Sequence, residues 1–498
     1  MVRRTLRLTG PDSASVEALA GRFAAVRSGL GVPADFPADV LAAAAAAAAA
    51  PVPRDADLTD LAFVTVDPPG STDLDQAMCL SRQDGGYHVD YAIADVPWFV
   101  PAGGPIDHEA MRRGQTLYAP DRRTPLHPPS LSEAAASLLP GVVRPAFVWR
   151  FDLDEQGRVL ATDLQRALVR SRLRLDYAQV QAAADAHPDG GPASSGSAVG
   201  SDSSAEADEI AVQAVLLRRI GQLRIELERE RGGASLPLPE QEVSAEGGVY
   251  RIGLRPALPA EDWNAQLSLM TGMAAAELML GAKVGLLRTL PGPDPALVER
   301  FRRQAAALGV SWPAGQPYGE FLRGLDRDRP ADLALMHEAG SLFRGAGYTP
   351  LDGPELPPVT THAAVAAPYA HVTAPLRRLV DRFGLVISHA VRSGGQVPDW
   401  ARAALPALPP AMASSDALAG KLERACLDVV EAAVLADRVG ETFDAVVVDV
   451  TKTGGKVQLL DPAVLAGAAG QLQLGERVRV QLTQADSAAG AVRFEKLG

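Results

Sequence analysis

Cysteine is nearly absent. Cys79 and Cys426 lie far apart and lack the C-x-x-C spacing of zinc or redox sites. A disulfide scaffold and a structural zinc are therefore not expected, and a reducing compartment, the cytoplasm, is. A long apolar run is missing too. The opening MVRRTLRLTGPDSAS has arginines with nothing hydrophobic behind them, so it does not read as a secretory signal. The alanine run Ala42–Ala50 falls well short of the roughly 18 strongly apolar residues of a membrane span and reads as a helix. Positive charge is in deficit: 48 Lys and Arg against 60 Asp and Glu leave a net charge of −12. That argues against a protein that coats nucleic acid non-specifically, but not against an enzyme with a local arginine channel and a carboxylate site. The cations present are mostly arginine, the better fork for phosphate.

What is present suits a globular protein of two to four domains: 498 residues, 47% hydrophobic and 22% charged. Residues 1–56 carry helical patterning up to the Pro-rich PVPRD, which predicts a small helical domain, with a helix-turn-helix-like unit as one reading. From Leu61 the pattern changes. LAFVTVD and YHVDYAIADV read as strands, and strands and helices then mix to about residue 438. Residues 185–208, rich in Gly, Ser, Asp and Ala, read as a flexible insertion. Residues 439–498 hold four short runs (TFDAVVVDVT, GGKVQLLD, ERVRVQLTQ and VRFEKL), the outline of a small β-barrel. The fold class expected is α+β. No internal repeat is visible, and nothing demands more than a monomer.

The most informative segment is VDPPGSTDLDQAM, residues 66–78. Asp67 ends a hydrophobic strand, Pro68–Pro69–Gly70 forces a tight loop, and Asp73 and Asp75 follow with Leu74 between them. Three carboxylates brought together this way repel unless a divalent cation neutralises them, and oxygen ligands suit magnesium, with manganese as the alternative. Gln76 would add an amide oxygen. The competing reading is an ordinary acidic loop. A phosphatase-type D-x-D needs a strand running straight into its first Asp, and a D-x-E exonuclease needs a Glu; neither is present.

This segment resembles the signature of the RNB catalytic domain of the ribonuclease II and ribonuclease R exoribonucleases: Asp, five residues, Asp, one residue, then Asp-Asp-Ala. Asp67, Asp73, Asp75 and Ala77 keep the spacing, and Gln76 replaces the last Asp. A second stretch, YAHVTAPLRRLVDRF at residues 369–383, resembles the family's arginine motif, with Thr373, Pro375, Arg377, Arg378 and Asp381 in register. Ala374 and Leu379 depart from it. Tyr118 in LYAP resembles the aromatic that stacks on a base near the cleaved bond, with a half-buried tyrosine as the alternative. Arg170, Arg172 and Arg174 in LVRSRLRLDYAQV would share one side of a strand, as phosphate contacts or as a solvated face. Glu423 in LERACLDVVEAA resembles an active-site glutamate on a late helix, with Glu431 as the alternative register.

The resemblance implies an RNB domain over 57–438, an OB-fold-like RNA-binding barrel after it, and a short form without the family's N-terminal cold-shock domains. It implies a metal-dependent 3′→5′ exoribonuclease that takes single-stranded RNA 3′ ends to nucleoside 5′-monophosphates. Asp67, Asp73, Asp75 and Gln76 would hold Mg2+ (or Mn2+), Asp73, Asp75, Arg377 and Glu423 would be catalytic, and Tyr118, Arg170, Arg172, Thr373 and Arg378 would contact RNA. Because Gln76 is neutral, weaker or altered metal binding is expected. The rival readings are a catalytically weak RNA-binding protein on the same fold and another metal-dependent phosphodiesterase. Fewer RNA-binding domains at the entrance would also let 3′ tails be trimmed closer to a duplex.

Overall fold

The computed structural model describes residues 15–52, 56–188, 202–234, 240–246, 248–255, 257–326, 328–459 and 461–497. Of the expected insertion, residues 189–201 lie outside the described residues, and Asp202 already begins a helix. The fold is α+β, as expected.

The central sheet has six strands in the order β1-β8-β2-β3-β4-β7: β1 (Ala56–Asp57), β2 (Phe63–Val66), β3 (Gln76–Gln83), β4 (Gly86–Ala94), β7 (Val143–Asp154) and β8 (Val159–Leu175). The apolar runs in β2, β4 and the middle of β7 reflect burial on both faces. Along β7, Phe147, Trp149, Phe151 and Leu153 enter one core while Ala146 and Val148 enter another. The larger core is closed by the helices Asp202–Glu230, Pro259–Ala282 and Leu379–Arg392. β3 and β4 are joined by the two-residue turn Asp84–Gly85, in which Gly85 takes φ 83°. Gly86, next in the chain, lies so close to β7 that a Cβ would sit 1.8 Å from the Leu153 carbonyl oxygen.

A short hairpin, β5 (Leu117–Tyr118) with β6 (Arg123–Thr124), stands apart from the sheet. Near the C-terminus the long helix Leu408–Leu435 leads into a closed barrel. The barrel has five strands rather than the four read from the sequence. The extra one, Leu465–Ala469, is the alanine- and glycine-rich LAGAA, which carries little strand propensity of its own.

The N-terminal helices α1 (Val16–Gly29) and α2 (Ala38–Ala48) do not form a unit with its own core. Leu19 and Phe23 of α1 join the core of the barrel and the long helix, whereas Val40 and Ala44 of α2 join the small-residue side of the sheet. Among the described residues, no helix is long and apolar enough to cross a membrane.

Candidate active site

The antiparallel pairing of β2 with β3, and the parallel pairing of β2 with β8, bring three strand ends together at one end of the sheet. Asp67 leaves β2 with its N–H donated to the Leu175 carbonyl at 3.1 Å. The chain then turns at Gly70, φ 81°, a conformation that costs a side-chain-bearing residue strain. Leu74 is fully buried, and its N–H donates to Ser137 Oγ at 2.9 Å. That anchor fixes the residues on either side of it, Asp73 and Asp75.

Asp75 is buried. Its Oδ1 accepts the Leu376 N–H at 2.7 Å, and its Oδ2 lies 3.6 Å from Arg377 Nε. Loss of water holds its carboxyl well above the usual range, and the Arg377 charge opposes that rise. Burial likewise pushes Asp67 up to about 7, again opposed by Arg377, and Asp67 Oδ2 has no hydrogen-bond partner among the described residues. Asp73 is held by a residue the sequence did not single out: Arg123 Nη1 reaches its Oδ1 at 2.6 Å, and Arg123 Nη2 lies 2.8 Å from Glu133.

Gln76 departs from the expected role. Its Nε2 donates to the Thr373 carbonyl, and its Oε1 accepts from the Tyr91 hydroxyl at 3.1 Å. A carbonyl can only accept, so the amide NH2 must face Thr373 and the oxygen must face Tyr91. The oxygen expected to bind metal is thus engaged within the protein.

The arginine motif forms a loop entering the Leu379–Arg392 helix. Asp381, fully buried, accepts from Ala374 N–H at 2.7 Å and from the Arg378 fork at 3.0 and 2.9 Å. Arg378 and the buried Thr373 therefore build the loop, instead of offering side chains to RNA as expected. Arg377 is the motif arginine left accessible, with 49% of its side chain exposed. Tyr118 stands beside it, with 52% of its surface exposed. The Tyr118 hydroxyl is pushed up to about 12 by local desolvation and then by the charge of Asp73, with Arg377 opposing. Tyr177 is a further aromatic in the field of Asp67 and Arg377.

Arg170, Arg172 and Arg174 do alternate along one exposed side of β8. They donate to the carbonyls of Thr59, Asp60 and Ser71 at 3.4, 2.7 and 3.2 Å, which lays them along the edge leading to Asp67. Glu423 is not brought to the cluster: it lies on the exposed side of the long helix. The alternative, Glu431, is buried against the barrel, where it accepts from Leu465 N–H at 3.1 Å and Gln241 Nε2 at 2.9 Å. The acid this helix does place near the arginine motif is Asp416. It accepts from Gln115 Nε2 at 3.0 Å, and Gln115 forms a backbone bridge to Arg378.

Among the described residues, no three His, Cys, Asp or Glu side chains are grouped closely enough to hold a metal. The four-ligand set expected from the sequence is not assembled. The donor set does fit a sparser site. Asp67 offers an unpartnered buried oxygen and feels the charge of Asp73. Magnesium is commonly held by one or two carboxylates, with water and substrate phosphate completing its shell.

The model for the RNB domain matches residues 55–391, and that for the RNase II-type exonuclease C-terminal S1 domain matches residues 441–497. The Arabidopsis thaliana exosome complex exonuclease RRP44 homolog A is 27% identical over 337 residues, 66% of this chain and 34% of the relative. Escherichia coli (strain K12) ribonuclease R is 28% identical over 338 residues, 65% of this chain and 39% of the relative. The chain thus spans little more than a third of the length of these two. Mycoplasma genitalium RNase R, solved in complex with ribose-methylated single-stranded RNA, superposes with a TM-score of 0.83 at 19% identity, covering 96% of this chain and 78% of that one. Yeast Ssd1, described as a pseudonuclease, superposes at 0.62 with 16% identity, covering 86% and 53%. With more than half of its length matched by one family model, this chain belongs to the RNB-domain family.

Proposed function

We propose that this protein is a metal-dependent 3′→5′ exoribonuclease that hydrolyses single-stranded RNA to nucleoside 5′-monophosphates. The observation that carries the reading is the pairing of buried Asp75 with half-exposed Arg377 beside the open face of Tyr118. Arg377 binds the scissile phosphate through planar donors suited to charge building on its oxygens. Asp75 positions Arg377 by holding the adjacent Leu376 N–H and facing the guanidinium. Tyr118 stacks on a terminal base without reading its identity, worth roughly 1–3 kcal/mol per base. Arg170, Arg172 and Arg174 line an approach for the phosphate backbone along β8. Asp67 and Asp73 would hold the ion, Mg2+ or Mn2+, whose chemistry is to lower the pKa of a bound water. The RNA complexes of the Mycoplasma RNase R support RNA as the substrate class.

A second reading, an RNA-binding protein with weak turnover, is favoured by one feature: the Gln76 amide is closed off by Thr373 and Tyr91. The pseudonuclease Ssd1 shows that this fold does not by itself guarantee cleavage. Incubating 5′-labelled single-stranded RNA with Mg2+, Mn2+ or EDTA separates the two readings. Metal-dependent shortening from the 3′ end supports the nuclease, and binding without shortening supports the second.

A further inference from the structure

The β5–β6 hairpin carries Tyr118 on one strand and Arg123 on the other, yet each strand is two residues long. A ladder that short holds little stability of its own. Its root is fixed to the arginine motif, because Thr116 N–H donates to the Arg377 carbonyl at 3.0 Å. Its tip is held by α1. Arg27 grips Asp121 with two bonds, Nη1 to Oδ1 at 2.5 Å and Nη2 to Oδ2 at 2.8 Å, and the two side chains are 11% and 16% exposed. A paired fork of this kind fixes direction as well as distance. α1 is a firm base for it: Leu19 and Phe23 are fully buried, and Phe23 meets Tyr250 edge to face at 5.5 Å. Leu117 at the start of the hairpin is buried in the same core. The exit of the hairpin is held from the N-terminal segment as well. Arg113 donates to the Pro125 carbonyl at 3.2 Å and the Asp35 carbonyl at 3.0 Å, and its guanidinium lies 3.8 Å from the Phe36 ring centroid.

We infer that Arg27 and Asp121 are positioning residues: the N-terminal helix clamps the hairpin so that Tyr118 faces the RNA 3′ end and Arg123 stays on Asp73. This rests on the nuclease reading above, because the clamp has its effect through Tyr118 and Arg123. It also gives α1 a role in the site that its sequence position does not suggest. Neither clamp residue touches substrate.

The test uses the full chain with Arg27→Gln, Asp121→Asn, and the exchanged pair Arg27→Asp with Asp121→Arg. Amide hydrogen exchange over residues 115–126 reads the clamp directly and needs no activity. Both single variants are expected to exchange faster there, with the central sheet unchanged, and the exchanged pair is expected to recover protection. Unchanged exchange in the singles overturns the clamp.

Steady-state cleavage of a fluorescent single-stranded RNA reads the consequence. KM is expected to rise about tenfold in the singles, near the low end of what losing one stacked base costs. In a Tyr118→Ala background Arg27→Gln should add little, because both changes remove the same contact. Faster exchange with unchanged KM, or full additivity with Tyr118→Ala, overturns the positioning role. If the wild-type chain does not cleave, the nuclease reading fails by itself. The same comparisons are then made on binding of that RNA, with the same outcomes for and against.

Discussion

The Gln76 side-chain amide donates to the Thr373 carbonyl and so ties the strand after the aspartate loop to the arginine motif, across 297 residues of sequence. The two motifs that carry the site are joined by the one signature position that departs from the family pattern. Its oxygen, turned to Tyr91, continues through the Tyr91 hydroxyl to Ser268 at 2.8 Å, so the amide is part of a chain of bonds.

Truncating this strut is expected to be costly. Gln76→Ala removes the donor to the Thr373 carbonyl and leaves the Tyr91 hydroxyl with Ser268 alone, and loss of about 1–3 kcal/mol in chemical denaturation is expected. Gln76→Asp also lacks the donor but adds a carboxylate beside Asp67 and Asp73. Its melting temperature is expected to fall in EDTA and to recover with Mg2+ by more than the wild type gains. Equal Mg2+ shifts in the two proteins contradict this.

Tyr118 is expected to act through its ring, because the ring is exposed while its hydroxyl sits among charges. Tyr118→Ala should raise KM for single-stranded RNA by about 5- to 160-fold, the worth of one stacked base. Tyr118→Phe should stay within about twofold, since the π face is kept. A Phe variant as impaired as the Ala variant shows that the hydroxyl matters instead.

Glu431 makes stability depend on pH. Burial raises its carboxyl to about 7, above the ordinary value of 4.5. A raised folded-state pKa means that the folded chain binds a proton the unfolded chain releases. The stability from this group is therefore complete below about pH 4.5 and is lost as pH rises through about 7. The loss is on the order of 3 kcal/mol at most, at about 1.4 kcal/mol per pKa unit. Glu431→Gln keeps a carbonyl for Leu465 and Gln241 and removes the titration. It should melt like the wild type at pH 5 and above it at pH 8; equal melting at both pH values contradicts the assignment.

Much of the site was legible because its spacing follows from local chain geometry. Asp67, Asp73 and Asp75 sit on one Pro-Gly loop because they are close in sequence, although among the described residues that loop does not group all three closely enough to hold a metal. Arg170, Arg172 and Arg174 share a side because strands alternate. The Arg123–Asp73 pair was not legible, since the two lie 50 residues apart and only the hairpin's path joins them. Glu423 failed for a related reason. Which face of a long helix meets the site depends on its packing against α1 and the barrel, and that phase left Asp416 near the arginine motif and Glu423 in solvent. The N-terminal helices read correctly as helices, but their destinations in two separate cores leave no trace in their own pattern. Gln76 could be seen as a substitution; its two partners could not.

The most direct measurement is degradation of 5′-labelled single-stranded RNA by the wild type and by Asp75→Asn, with Mg2+ and with EDTA. Asp75→Asn keeps the size of the side chain and an oxygen for the Leu376 N–H, while removing the charge that faces Arg377. A Mg2+-dependent ladder shortening from the 3′ end, abolished by EDTA and slowed at least about a hundredfold in Asp75→Asn, is the expected result. Equal cleavage by both proteins, or wild-type binding of the RNA with no shortening in Mg2+, contradicts it.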